Sequence, residues 1–385
     1  MKKKSYKLLL SLGYNDSDAN EILSSDWLLN FKDEDLGKNI LNLYSYLEKY
    51  YTKKEIIKIT KKSSVLFNCS NTKNIEDKIN VIVGFGYSKA EVIKMAKKAP
   101  ALYSLKAEKI KQKIKDMIEL GYTKEEVIIM TKKTPTLYSL KAEKIKQKIK
   151  DMIELGYTKG EVLKMSKKCS SLYTFSIESM KIRIGDMISL GYTKEDVIEM
   201  TKNQPNLYSL SIEYIKQRIK DIISLGYTKE DAIEMTKALP SLFGISMKNI
   251  KQKINFYKSV NLENIILEDT KQLMQSATLS YARYRYLTIK GIKITKDNYV
   301  KLFYSQRSFK EIFGADNETL KRLYPFEEYI KVQQFYKKLD ILNKLNPNEA
   351  KRILSESVKK YVDENNSIEK RINNKYSRVL KNSKV

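Results

Sequence analysis

Apolar positions in the middle of this chain recur with two spacings at once. Over short stretches they fall three and four residues apart, as at Ile145, Ile149, Met152 and Ile153, the i, i+4, i+7, i+8 pattern of one helical face. Over longer stretches the whole pattern returns every 35 residues, marked by Gly-Tyr pairs beginning at Gly86, Gly121, Gly156, Gly191 and Gly226. The block Leu102–Lys124 recurs letter for letter as Leu137–Lys159, the mark of an internal duplication. A fixed period of this size predicts stacked supersecondary units, each packing on its neighbours, rather than a globule around one centre.

With the Gly of each pair as slot 0, every unit reads as two helices. Thr123-Lys124-Glu125-Glu126 is a capping box, repeated at Ser88–Glu91 and Thr158–Glu161. The first helix then places apolar or small residues at slots 6, 7, 9 and 10, as in Val127, Ile128, Met130 and Thr131. It must stop before the proline of slot 14 (Pro100, Pro135, Pro205, Pro240), which Ser170 replaces in one copy. The second helix runs over slots 20 to 33, its apolar face at slots 24, 28, 31 and 32, and the Gly of the next unit suits its C-terminal cap.

Worn copies flank the regular block. Gly13-Tyr14 opens one and Tyr50-Tyr51 another, at spacings of 37 and 36 residues. Val260-Asn261-Leu262 takes the Leu-Gly-Tyr place after the last regular unit, and Tyr286–Ile292 forms a final recognisable turn. The organisation expected is therefore divergent repeats over 1–85, five regular repeats over 86–260, divergent repeats over 261–345, and a basic helical cap and tail over 346–385. Within the last region Asn346–Val362 reads as a helix and the chain from Asp363 as a polar, frayed end. The fold class is an all-α solenoid of about eight two-helix repeats of 35–37 residues.

Charge sharpens this picture. The chain of 385 residues carries 73 Lys plus Arg against 46 Asp plus Glu, a formal net charge of +27, which points to polyanionic partners such as nucleic acid or an anionic membrane surface. Apolar residues at 42% suffice for a continuous inner layer, and 13 Gly with 6 Pro argue against a turn-rich β protein. There is no histidine, and Cys69 and Cys169 occupy unrelated slots, so neither a zinc site nor a disulfide framework is expected and a reducing compartment fits. No run of 18 apolar residues appears, so no membrane span is expected. The recurring carboxylates sit where caps and helix-surface pairs need them, and no nucleophile, histidine or Gly-rich phosphate loop accompanies them. An enzyme is not expected, and no cofactor is implied.

Three basic ladders are the candidate binding residues. Slot 11 is Lys97, Lys132, Lys167, Lys202 and Lys237; slot 25 is Lys111, Lys146, Lys181, Lys216 and Lys251; slot 27 is Lys113, Lys148, Arg183, Arg218 and Lys253. At 100° per residue, slots 25 and 27 flank the apolar stripe on opposite sides. Stacking would align each into a row of cations matched to a phosphate backbone. The plainer reading is a solvated face whose lysine stems lie along the core edge; slot 3, lysine in all five units, is expected to face solvent in this way. The tyrosines of slots 1 and 17 suit base stacking in principle, but they sit beside apolar slots and slot 17 accepts Phe243, so core packing is expected. Slot 13 varies (Ala99, Thr134, Cys169, Gln204, Leu239), which a base-by-base code would require, yet its apolar members argue for drift.

Slots 0 to 19, with Pro at 14 and Leu at 16, followed by a Lys-rich Ile-Lys helix, resemble the repeat of the mitochondrial transcription termination factor (mTERF) family. The resemblance is strong over 86–260 and weaker over 1–85 and 261–345. Tyr281–Ile292, with its Arg-Tyr-Arg-Tyr-Leu run, is similar to the family's closing motif and adds Arg283 and Arg285 to the candidate contacts. The resemblance implies a curved superhelix whose basic groove binds double-stranded DNA or RNA through the phosphate backbone, acting as a monomer in transcription regulation or termination. It also implies an organellar setting, whereas the residues as written, without an arginine-rich transit peptide, read as cytoplasmic. A second class stands beside it: a protein–protein interaction scaffold, since helical solenoids offer long binding surfaces.

Overall fold

The computed structural model describes residues 2–28, 31–68 and 73–357. These are helical segments and turns, with no strand among the described residues. Eight times in succession a short helix, a 3-10 turn and a second helix follow one another, here called the A helix, the turn and the B helix. In the unit that begins at Gly121 they are Lys124–Lys133, Pro135–Ser139 and Ala142–Leu155. The first such unit starts at Asp16 and the eighth ends at Ile289, its A helix reduced to Ile265–Glu268, which is why the pattern fades there. Lys3–Ser11 precedes them and packs on Asp33–Leu47. Tyr299–Phe303, Gln306–Phe313, Asn317–Leu323 and Phe326–Leu345 follow the last unit, and 347–357 is helical. Cys69, the end of the helix expected over Asn346–Val362 and the tail from Asp363 lie outside the described residues.

Local chemistry sets these boundaries. Each regular A helix begins in a complete capping box, in which Thr123, for example, accepts from the Glu126 N–H while the Glu126 carboxylate accepts from the Thr123 N–H. It ends at slot 13, whose residue leaves helical geometry (Thr134 φ −130°, ψ 78°), and proline then opens the 3-10 turn, where its missing N–H costs nothing. The B helix ends at the slot-0 glycine: Gly156 has φ +117°, and Tyr157 N–H returns to the Met152 carbonyl in a Schellman-type closure. Asn261, which takes the Gly place after the last regular unit, is the one described non-glycine residue with positive φ, +57°.

The chain forms two compact units, Met1–Ile212 and Glu213–Val385. In the first, Val127, Met130, Leu137, Ile145, Ile149 and Met152 and their counterparts form the inner layer between A and B helices. Ile153 departs from the expected apolar face: it is 44% exposed, as is Ile118. At 100° per residue slot 32 lies about 80° round from slot 24, whereas slot 31 lies about 20° from it. Met152 therefore turns fully inward and Ile153 stands at the rim. Buried hydroxyls stitch one repeat to the next. The slot-1 Tyr87 bonds Thr131 (2.6 Å) and Tyr138 of the following unit, and Tyr122 with Ser166 and Tyr173, and Tyr157 with Thr201 and Tyr208, repeat the arrangement. Burial raises the phenol pKa in each of these tyrosines, so all stay neutral donors and acceptors.

In the second unit the core becomes aromatic. Phe256 meets Tyr281, Tyr284 and Tyr329 edge-on at 5.6–6.0 Å, and Phe326 lies 5.0 Å from Tyr329. Edge-to-face contacts of this kind dock the long helix Phe326–Leu345 against the B helices Met247–Ser259 and Ala277–Ile289.

Candidate nucleic-acid interface

The three basic ladders meet three different surroundings. Slot 11 lies near the end of each A helix and reaches back to the acidic residue of the capping box one repeat earlier. Lys132 pairs with Glu91 at 2.7 Å, Lys167 with Glu126 at 2.7 Å, Lys202 with Glu161 at 2.8 Å, and Lys97 with Glu55. Lys237 pairs with Glu234 at 2.9 Å on its own helix. The slot-5 carboxylate thus closes its own helix start and ties the next A helix to it. Lysine and backbone contacts together hold these carboxyls below the usual range, to about 2 at Glu55 and Glu161. The matching signal was present in the sequence, since slot 5 is acidic wherever slot 11 is lysine, but nothing in the linear pattern says that the two slots belong to adjacent repeats.

Slot 27 turns inward. Lys113, Lys148, Arg218 and Lys253 are buried and Arg183 is largely so, its guanidinium 3.1 Å from Asp186. Where these cations reach a partner beyond their own helix, it is the fourth residue of the next 3-10 turn: Arg218 donates to the Phe243 carbonyl and Lys253 to that of Leu273. The same bond appears outside the regular block, from Lys78 to Tyr103 at 2.8 Å. Arg283 occupies the seventh position of its B helix, as Lys253 does in the preceding one. It is 1% exposed, donates to the carbonyls of Leu302 and Tyr304 and to Asn317, and lies over the Phe309 ring. Burial lowers the pKa of Lys113, Lys148 and Lys253, and that of Arg283 to about 10. At Lys78, Arg218, Lys253 and Arg283 the position acts as a clamp on the following turn. Arg285, two residues on, is half-buried.

Slot 25 is different. Lys111, Lys146, Lys181, Lys216 and Lys251 are all exposed, and none has a hydrogen bond or ion pair among the described residues. In the first unit the B helices that carry Lys111, Lys146 and Lys181 pack side by side, so equivalent positions succeed one another along the stack. Slot 29 lies one turn further along the same face and adds Lys115, Lys150 and Lys220, also exposed. The slot-3 lysines are exposed as well, at the starts of the A helices.

The tyrosines of slots 1 and 17 are buried, six of them in the relays described above, and present no face for stacking. Slot 13 closes each A helix; Ala99, Cys169 and Leu239 are buried there and Thr134 and Gln204 are half-buried. Among the described residues no three His, Cys, Asp or Glu side chains converge as metal ligands, and no helix is long and apolar enough to cross a membrane.

No curated protein matches the chain. The mTERF family pattern, by contrast, matches residues 2–185 and again residues 183–267, most of the stretch occupied by the two-helix units. Repeated A helix, turn and B helix agree with that match, since mTERF is a helical-repeat family. The chain belongs to the mTERF family of helical-repeat proteins, which bind nucleic acid and act in transcription.

Proposed function

We propose that this protein binds double-stranded DNA as a monomer, through phosphate contacts made by the slot-25 lysines, and acts in the regulation or termination of transcription. One observation carries the reading. Of three ladders that are basic in every regular repeat, slot 11 is ion-paired and slot 27 is turned inward, while Lys111, Lys146, Lys181, Lys216 and Lys251 stand in solvent without a partner among the described residues. Exposed ammonium groups that succeed one another along packed B helices, as Lys111, Lys146 and Lys181 do within the first unit, suit a polyanion that presents charge at regular intervals. Contacts of this kind position the duplex without reading its sequence. Slots 11 and 27, with Arg283, enter the proposal as the ties that hold the repeats in register behind that row.

The test is the salt dependence of duplex binding. Each phosphate contact contributes about 0.9 to the slope of log affinity against log salt. Replacing Lys146, Lys181 and Lys216 by Gln should flatten the slope by about 2.7 and weaken every duplex alike. Lys124, Lys159 and Lys194 changed to Gln remove the same charge from slot 3 and serve as the control. Equal losses from both triple variants would leave slot 25 with no special place. A parent protein that binds no nucleic acid at moderate salt would favour the protein-interaction scaffold instead.

A further inference from the structure

The last regular repeat breaks the pattern of its B helix at three neighbouring slots. In the other copies slot 26 is glutamine in three of four, and that amide donates to the slot-30 aspartate one turn on: Gln112 to Asp116 and Gln147 to Asp151 at 2.7 Å, Gln217 to Asp221 at 2.8 Å. In the last copy the glutamine remains as Gln252, but slot 30 is Phe256, so its amide has lost that partner. Slot 29 becomes Asn255, and slot 32, isoleucine in the four earlier copies, becomes Lys258. Gln252, Asn255 and Lys258 all line one cavity. It lies between the helices Met247–Ser259 and Phe326–Leu345, within the second unit, and holds about 670 Å³.

Four amide side chains converge on this space, Gln252 and Asn255 from one wall and Gln333 and Gln334 from the other. None of them makes a hydrogen bond among the described residues, and Asn255 and Gln334 are exposed. The buried rings of Phe326 and Tyr329 contribute apolar floor, and Lys337 stands exposed at the rim. Lys258 already donates to the Leu225 carbonyl and covers the Tyr227 ring, so Lys337 is the cation free to meet a ligand. The volume falls in the ordinary range for a small-molecule site. A carboxamide offers two donors and an acceptor side by side, which matches the mixed donor and acceptor edge of a nucleobase better than it matches a carboxylate, a metal or a lipid chain.

We propose that this cleft takes one nucleoside monophosphate unit, with the amides of Gln252, Asn255 and Gln333 on the base edge and the Lys337 ammonium on the phosphate. The inference rests on the nucleic-acid reading above, because Lys251 of the exposed row immediately precedes Gln252 on the same helix. The ligand is either a free nucleotide or an unpaired nucleotide within a strand. Both sources present the same chemistry.

The experiment uses the full chain and two probes: AMP, followed by calorimetry, and a single-stranded oligonucleotide carrying one 2-aminopurine, followed by fluorescence. Binding of AMP identifies the free nucleotide as the source; a 2-aminopurine signal without AMP binding identifies the strand. In either case the double variant Gln252→Ala/Gln333→Ala should weaken binding about a hundredfold, at roughly tenfold per amide lost. Gln147→Ala, the same residue type in a repeat where its amide is engaged, should bind as the parent does. Gln333→Glu, at a half-buried position, provides a second variant that keeps side-chain volume, removes the amide donors from the base edge and should weaken binding. The proposal fails if neither probe binds, if the double variant binds like the parent, or if Gln147→Ala loses as much. The duplex salt slope separates the two readings. Its persistence without nucleotide binding overturns only the cleft, whereas Gln252-dependent nucleotide binding with a slope indifferent to slot 25 overturns only the phosphate row.

Discussion

Ser170 occupies the one regular turn that lacks its proline, and replacing it should stabilise the protein. The hydroxyl oxygen is buried without a hydrogen-bond partner among the described residues, and Ser170 is 3% exposed. The preceding backbone is already shaped for proline: Cys169 has φ −130° and ψ 88°, against −131° and 82° at Ala99, −130° and 78° at Thr134, and −132° and 74° at Gln204, each of which precedes a proline. Two effects then add in Ser170→Pro. Restricting the unfolded chain at a compatible site contributes about 0.4–1 kcal/mol. Removing a buried, unsatisfied hydroxyl contributes on the order of 1 kcal/mol more, at the low end of the cost of leaving such a group unpaired. The expected gain is about 1–2 kcal/mol, and Ser170→Ala should show only the second part. Urea unfolding of the full chain followed by circular dichroism measures the total, and amide hydrogen exchange over residues 165–175 locates it. A Ser170→Pro protein less stable than the parent, with faster exchange in that stretch, would refute the claim that this turn is built like the proline copies.

Gly156→Val should cost about 1 kcal/mol or more through backbone strain alone, since φ is +117° and no atom lies within 4 Å of an added Cβ. Gly156→Asn should cost less, as Asn261 already holds a positive φ at the equivalent place; thermal melts that rank the two the other way would argue against the cap. Tyr157→Phe should destabilise by about 1 kcal/mol, because Tyr208 loses its buried phenol partner while Thr201 keeps its bond to the Val197 carbonyl, and a melt identical to the parent's would mean the relay contributes nothing. Acid should weaken the stack from the slot-5 carboxylates. The folded pKa is depressed at Glu55, Glu91, Glu126 and Glu161, so their contribution is complete above the unfolded value near 4.5 and is lost as pH falls toward about 2, the folded value at Glu55 and Glu161. Melting temperatures at successive pH values check this, and Lys202→Met should reduce the loss; a stability unchanged from pH 5 to pH 2 would count against the inter-repeat pairs.

The sequence by itself determined the repeat, its two helices and their ends, because these depend on chemistry within a few residues. The capping box needs a hydroxyl and a carboxylate three apart, the stop needs Pro135 and its counterparts, and the left-handed cap needs Gly156 or, at a discount, Asn261. It also separated buried tyrosines from exposed lysines, since burial follows the helical period. What it left open was the fate of cations at the edge of the apolar stripe. Lys113 and Lys111 stand two residues apart in the same lysine-rich run, yet one is buried and the other is solvated. That difference is made by the neighbouring repeat, which covers slot 27 and, at Arg218 and Lys253, brings a turn carbonyl to it, while the capping carboxylate of the repeat before lies across from slot 11. Tertiary structure likewise decided what the changes in the last repeat amount to, because only the docking of Phe326–Leu345 against Met247–Ser259 makes Gln252, Asn255 and Lys258 one wall of a cleft. Helix period and capping are local and written in one strand of letters; the partner of a side chain at a helix edge is set by whatever packs beside it.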